Sequence, residues 1–339
     1  MISERERDRN AVSWALPAAL GVAVVALFLL SLAIGPARIS LLDAWSGLFD
    51  AELPVPSVIL LEIRLPRTLL ALTVGATLGL AGAALQGLLR NPLAEPGLIG
   101  VSAAAAFGSV VVFYFGLSAT YALALPLGGI AGALVAIVLL YALAGREPAV
   151  LTLILSGVAV SSFAGALTSL ALNLAPSPHA ALEIVEWLLG SLADRSMEHV
   201  WLTLPLMLVG WVLLFSSGRA LEALTLGEDA ARSLGFSLKI TQVRVILGTA
   251  LAVGAAVSVT GGIAFVGLVV PHLLRPLVGH RPHRLLFVSA IGGAALLLAA
   301  DTLVRMVSGP TELKLGVVTA LVGAPFFIYL LLRLRTEQA

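Results

Sequence analysis

Residues 96–145 read PGLIGVSAAAAFGSVVVFYFGLSATYALALPLGGIAGALVAIVLLYALAG, 50 residues without one Asp, Glu, Lys or Arg. A helix crossing the hydrocarbon core of a bilayer needs about 20 apolar residues, so this run holds two such helices and a turn. The turn falls near Gly116–Thr120, where Phe113, Tyr114, Phe115 and Tyr121 gather, and aromatic rings concentrate at the membrane–water interface. The rest of the chain continues the pattern. Of 339 residues, 59% are hydrophobic and 12% charged, whereas a soluble domain carries about 25% charged residues. There is too little polar surface to cover a soluble body, and the bilayer is the solvent. Disorder, a collagen repeat and a soluble enzyme of ordinary composition are disfavoured by the same numbers.

Walking from charge to charge places the other spans. Residues 15–34 form the first. Arg5, Arg7 and Arg9 precede it, but the charge-free run 10–37 is longer than the 7–15 residues or so of a signal-peptide core. Thr68–Leu89 is the second span, a fifth lies within 148–182, a sixth within 199–218, and the last two near 285–300 and 315–332. Residues 245–274 are long for one helix and short for two. Gly261 and Gly262 divide them, so a seventh helix begins near Thr241 and an eighth runs to about Gly279. The expected architecture is an all-α polytopic membrane protein of about ten helices, one transmembrane domain over 1–339. Residues 1–14 and 333–339 are read as cytoplasmic tails and 217–240 as a cytoplasmic loop. With both termini inside, 14 of the 20 Lys and Arg residues lie on the inner side, among them Arg146, Arg333 and Arg335, as the positive-inside rule requires. The outer six are Arg38, Arg64, Arg67, Arg195, Arg305 and Lys314. Leu80-Ala81-Gly82-Ala83-Ala84 in the second span resembles Ala252-Val253-Gly254-Ala255-Ala256 in the seventh. Five spans apart, the copies run in opposite directions, the arrangement of an inverted-repeat transporter.

Much chemistry is absent. With no Cys and a net charge of +1, disulfides, thiolate sites and a basic nucleic-acid surface are excluded. Lys239 and Lys314 are the only lysines and neither follows Gly, so the chain has no G-x-x-x-x-G-K-[ST] loop for ATP. His179, His199, His272, His280 and His283 form no metal-binding spacing, His280 and His283 reading as a solvated loop, and no nucleophile elbow occurs. The acids Glu95, Glu147, Glu183, Glu186, Glu198, Asp301 and Glu312 fall at helix ends or in loops. A carrier coupled to protons or sodium usually places such a group mid-membrane. That leaves a secondary transporter as the alternative, and a transporter driven by an energy-supplying partner as the preferred reading.

Five segments carry unusual order: Arg64-Leu65-Pro66-Arg67; Arg90-Asn91-Pro92-Leu93-Ala94-Glu95-Pro96-Gly97 through Ser102; Leu226-Gly227-Glu228-Asp229-Ala230-Ala231-Arg232-Ser233-Leu234-Gly235; Gly262-Ile263-Ala264-Phe265-Val266-Gly267 through Pro271-His272; and Gly316 through Phe327. Together, from about Arg64 to Leu332, they resemble the FecCD family, the membrane permeases of ABC importers for iron–siderophores, haem and vitamin B12. The resemblance implies a ten-helix subunit in a bacterial or archaeal cytoplasmic membrane. It pairs with a second copy or a similar subunit, two ATPase subunits that hold ATP and Mg sit below it, and a substrate-binding protein sits above. It implies no cofactor or metal on this chain and no catalysis by it. Siderophore, haem and cobalamin permeases share these motifs, so the choice of chelate stays open.

The resemblance also carries roles. Arg64, Arg67 and Arg305 are the dock for acidic groups of the binding protein, against the alternative of interfacial snorkelling or a local ion pair. Charge reversal of Arg64 and Arg67 is then expected to abolish uptake and spare membrane insertion. Asn91 and Leu93 narrow the cytoplasmic mouth, while Pro92 and Pro96 stop the helix and fix the turn. Leu226, Gly227, Glu228, Ala230, Leu234 and Gly235 belong to the element that couples to the ATPase. Glu228 and Asp229 suit a helix start and Gly235 a stop. Gly262, Gly267 and Pro271 permit close packing and a kink, or line the path or a dimer interface. Trp187 and Gly190-Ser191 are expected on a short helix at the membrane surface. Lys314 departs from the family pattern, which commonly has Pro there before the last helix.

Overall fold

The computed structural model describes residues 4–37, 39–47, 54–121, 123–145, 150–307 and 312–338. Arg38, Arg146 and Glu147 lie outside these. The described residues form α1 (Glu4–Ala33), α2 (Leu41–Ser46), α3 (Val55–Val58), α4 (Leu65–Leu88), α5 (Val101–Tyr114), α6 (Ala124–Ala144), α7 (Val150–Asn173), α8 (Pro178–Leu188), α9 (Met197–Ser216), α10 (Gly218–Leu224), α11 (Glu228–Ser233), α12 (Leu238–Thr260), α13 (Val266–Leu274), α14 (Pro282–Val307) and α15 (Leu315–Gln338). The turn between α5 and α6 carries a 3-10 helix over Leu117–Ala119, where the aromatic cluster placed it.

Each of the ten segments read from the sequence contains a helix, and among the described residues they differ in how much of a bilayer each helix spans alone. Seven are long and apolar enough to cross it: Ala15–Ala33, the continuous stretch Val55–Leu88, α6, Leu151–Asn173, α9, α12 and α14. The apolar part of α15, Leu315–Leu330, is shorter. Helices α5 and α13 have 14 and 9 residues. At 1.5 Å per residue they reach about 21 and 14 Å, short of the roughly 30 Å hydrocarbon core. The second span also starts earlier than expected. It runs from Val55 through a π-helical turn, Ile59–Arg64, into α4, so Glu62, Arg64 and Arg67 sit inside a helix rather than before one. The charged tails are helical too, α1 beginning at Glu4 and α15 running to Gln338.

Helices α4 and α12 form the centre, with 83% and 78% of their apolar windows buried, against 6% for α1. Lipid provides no hydrophobic drive between helices, so small residues that let backbones touch are what hold them. A Cβ on Gly79 of α4 would lie 2.0 Å from the Ser289 carbonyl oxygen of α14, and one on Gly75 would lie 2.4 Å from that of Gly293. The outer helices turn Val138, Leu151, Phe163 and Val212 outward, the surface a lipid solvent accepts.

The two short helices have one cause. Helix α12 stops at Thr260 because Gly261 takes φ +69°, and the chain runs without regular structure to Phe265 at φ +68°. Helix α5 follows a similar break that ends at Gly100, φ +80°. Both breaks fold back into the bundle. Ala94 and Ile99 are buried, Leu98 and Ile99 press against Gly157 in α7, and Pro96 presses against Gly267. Irregular backbone at membrane depth survives only where protein covers it and its polar groups find partners. The Phe265 backbone N–H lies toward the Glu95 carboxylate. The Thr260 carbonyl accepts from Ser191 N–H at 2.8 Å, and the Val259 carbonyl from Arg195 Nε at 2.5 Å. Each repeat-bearing helix thus leads into a break and then a short helix. The copies cross-pack: Gly82 meets the Gly267 backbone of α13, and Gly254 approaches Val101 at the start of α5.

Candidate functional site

At one end of the bundle the arginine motif sits in a buried ionic cluster. Arg67, in the first turn of α4, holds Asp301 of α14 with two nitrogens: Nε at 2.9 and 3.2 Å and Nη2 at 2.8 Å. It also bonds Glu312. Arg305, one turn after Asp301, lies 3.1 Å from the same carboxylate, and Asp301 is fully buried. The last four carbonyls of a helix have no partner within it, and Arg64 and Arg305 supply those partners for α1. Arg64 Nη1 donates to the carbonyls of Leu32 and Ala33, both at 2.7 Å, and Nη2 to Ala37 at 2.5 Å. Arg305 Nη1 donates to Ser31 and Ile34 at 2.8 and 3.0 Å. Cations at a helix C-terminus also meet the negative end of its dipole.

The three arginines are therefore mostly buried, at 3%, 9% and 8% exposure for Arg64, Arg67 and Arg305, with most of their donors spent inside the chain and the Arg305 Nε without a partner among the described residues. They still line a cavity of about 460 Å³ together with Glu62, Arg195 and Glu312. The charge-reversal expectation does not survive this geometry in its simple form. Reversing Arg67 sets a third acid beside Asp301 and Glu312, so loss of uptake and loss of fold come together. Burial lowers the Arg195 pKa, Asp194 opposing it, and the guanidinium remains a cation.

At the opposite end, α4 closes and the chain turns through Arg90, Asn91, Pro92 and Leu93. The Asn91 Oδ1 accepts from Leu93 N–H at 2.9 Å, a side-chain turn of the kind Asn favours. Asn91 N–H donates to the Gln86 carbonyl, and Ala94 N–H to the Asn91 carbonyl, both at 3.2 Å. Asn91 is exposed and Leu93 half-buried. Beneath them lies a residue that the sequence did not single out. Gln86 is 1% exposed. Its Nε2 faces the carbonyls of Ala94, Gly267 and Leu268 at 3.2, 3.4 and 3.5 Å, and its Oε1 accepts from Arg275 Nη2 at 2.5 Å. One amide thus ties α4, the turn after it, α13 and the residue following α13. Glu95 was also missed, being read as a loop acid although its loop folds into the bundle. A lone Gln in an apolar helix is the signal that could have found the first; nothing local marks the second.

Beside this end stands α11. Gly227 precedes it at φ +105° and Gly235 follows at φ +85°. Glu228 and Asp229 open it and Arg232 closes it, each at the dipole end that suits it. Leu226 and Leu234 flank it, 70% and 61% exposed, while Ala231 within it is buried. Gly267 and Pro271 lie buried in α13. Gly262 sits in the break, where it lines an apolar groove of about 590 Å³ with Leu188, Gly316, Ala320, Leu321 and Pro325. Trp187 falls on α8 as expected. It is buried there, with its ring 6.2 Å from Phe113 in an edge-on contact; Gly190 and Ser191 follow that helix. Lys314 precedes α15 and reaches Glu186 of α8 at 3.2 Å.

Broken helices meeting at mid-bundle, two cross-packed copies and a polar cluster at each end define a multi-pass membrane transport protein. Residues 23–333 match the FecCD transport family, and the chain belongs to it. It is 41% identical to the Fe(3+) dicitrate transport permease FecD of Escherichia coli K12, over 82% of this chain and 86% of that one. It is 38% identical to the cobalamin import permease BtuC of Halobacterium salinarum, over 96% of this chain and 98% of that one. A solved structure described as an inward-facing conformation of a metal-chelate type ABC transporter superposes with a TM-score of 0.83. It shares 32% identity and covers 94% of this chain and 98% of that one.

Proposed function

We propose that this chain is the membrane-path subunit of an ATP-driven importer for a metal chelate: an iron–siderophore, haem or a cobalamin. It lies in the cytoplasmic membrane of a bacterium or archaeon with both termini and α11 inside. The observation that carries this reading is the pair Leu226 and Leu234, large apolar side chains left exposed on either side of a short charged helix at a polar end. Single exposed apolar groups are ordinary, but two beside a charged helix at a polar end, away from the lipid-facing helices, fit a protein contact, and here the partner is an ATPase subunit, two per importer, holding the ATP and Mg that this chain has no loop to bind. A second copy or a similar permease covers the apolar groove along α15. A binding protein docks over the arginine-lined cavity at the other end. Since the guanidiniums are engaged internally, its acids meet the rim of that cavity, where Arg195 and Glu62 also lie.

The reading is tested with the chain, its ATPase and its binding protein in proteoliposomes. Uptake of labelled cyanocobalamin, ferric dicitrate, a ferric hydroxamate siderophore and haem is measured with and without ATP and Mg. Uptake of one of them is expected only with ATP. ATP-independent uptake driven by an ion gradient would establish the secondary transporter instead.

The turn Asn91–Leu93 is proposed as the cytoplasmic gate, a polar ring beside an apolar constriction. Changing both Asn91 and Leu93 to Ala removes the side-chain turn and the apolar plug together. Passive efflux of whichever of the four chelates the uptake assay selects, trapped inside the vesicles, should then rise severalfold; efflux equal to that of the unaltered chain would remove the gate from this turn.

A further inference from the structure

Arg90 stands between the end of α4 and the proposed gate with φ +48°, a left-handed backbone that non-glycine residues seldom adopt. That conformation turns the chain out of the helix and lets the side chain reach α11. Arg90 Nη2 lies 3.8 Å from Glu228 Oε1, and Glu228 is the first residue of α11. Within α11, Arg232 also lies 3.8 Å from Glu228 and 4.0 Å from Asp229. The far side of the turn is fastened differently. The backbone of fully buried Ala94 is held by Gln86. The turn that contains Asn91 and Leu93 is therefore anchored to the bundle at one end and to α11 at the other.

We propose that the Arg90–Glu228 ion pair is the positioning contact through which movement of α11 reaches the gate turn. The proposal rests on the reading of α11 as the ATPase-facing element and of Asn91–Leu93 as the gate. It gives Glu228 a partner within the chain, where the family resemblance alone would assign it to the ATPase contact. An exposed pair shifts an equilibrium only a few-fold, which suits a contact remade in every cycle. When an ATPase covers α11 and displaces water, the attraction strengthens as the local dielectric falls.

The chain has no cysteine, so Leu93→Cys supplies a single reporter. In proteoliposomes holding the permease and its ATPase, the maleimide labelling rate of that reporter is measured with and without ATP and Mg, and the ATP-dependent change is divided by the ATP hydrolysed. Arg90→Ala and Glu228→Ala are each expected to shrink the ATP-dependent change by roughly 2–5-fold, the range of an exposed pair. The charge exchange Arg90→Glu with Glu228→Arg is expected to restore most of it. An exchange no better than the single variants would overturn the proposal, as would a labelling rate indifferent to ATP in the parent. If Glu228→Ala abolishes binding of the ATPase while Arg90→Ala leaves the labelling change intact, Glu228 is an ATPase contact and the pair transmits nothing. A parent chain that binds no ATPase overturns the proposed function itself and this pair with it.

Discussion

Asp301→Ala is expected to destabilise the protein by about 3–5 kcal/mol, the cost of removing one partner from a buried ion pair and leaving the other charged. The loss is doubled in kind here, because the fully buried Asp301 carboxylate serves both Arg67 and Arg305. Arg67 retains Glu312, which is partly exposed. Arg305 retains the carbonyls of Ser31 and Ile34 but loses its counter-charge. The α1 end should therefore loosen first, since Arg305 clamps it to α14. Unfolding of the purified protein in detergent, followed by heat or denaturant, gives the magnitude, and cleavage by an added protease after α1 gives the order of events. Asp301→Asn, which keeps the shape and one acceptor, should lose less than Ala. A variant as stable as the parent would show that the cluster carries no structural weight, and the three arginines would again be free to act as a dock alone.

How much of this could be read in the sequence depends on what a charge means. Treating every charge as the end of a helix placed the span windows, and within or beside them the aromatics placed the turn near Gly116–Thr120, the glycine pair the division at Gly261-Gly262, and the acids and glycines the short helix between Leu226 and Gly235. All three are breaks made by local chemistry: glycines at positive φ, a cluster of aromatics, or acids at a helix start. The same rule failed at Val55–Leu88 because Glu62, Arg64 and Arg67 lie inside the helix, and Arg64 and Arg67 spend their charge on other elements. It could not show that the loop carrying Glu95 folds inward, since that depends on Gly157 and Gly267, distant in sequence. The site divided in the same way. Motif order found the residues at both ends, but only the fold shows that Arg64 and Arg305 cap α1, or that Glu228 faces Arg90. A single sequence contains none of those pairings.

Gln86 is where the fold and the proposed gate depend on one side chain, and its two substitutions should separate them. Gln86→Ala removes the acceptor of Arg275 and the donor facing Ala94, Gly267 and Leu268. Leaving buried polar groups unpaired costs about 1–3 kcal/mol, and the Arg275 Nε already lacks a partner among the described residues. Stability should fall by that amount and efflux of the trapped chelate should rise with it. Gln86→Glu behaves differently. Its carboxylate keeps Arg275, now as a charge-assisted bond of roughly twice the strength. It has no N–H to offer, however, and points an oxygen at three carbonyl oxygens. Ala94, the far anchor of the turn, is the one of the three outside a helix; Gly267 and Leu268 are held in α13. The glutamate variant should therefore keep most of its unfolding midpoint while its efflux approaches that of the Asn91 and Leu93 double variant. Loss of stability without added efflux would make Gln86 a packing residue. Added efflux in the glutamate variant at unchanged stability would establish the amide donor as what holds the turn shut.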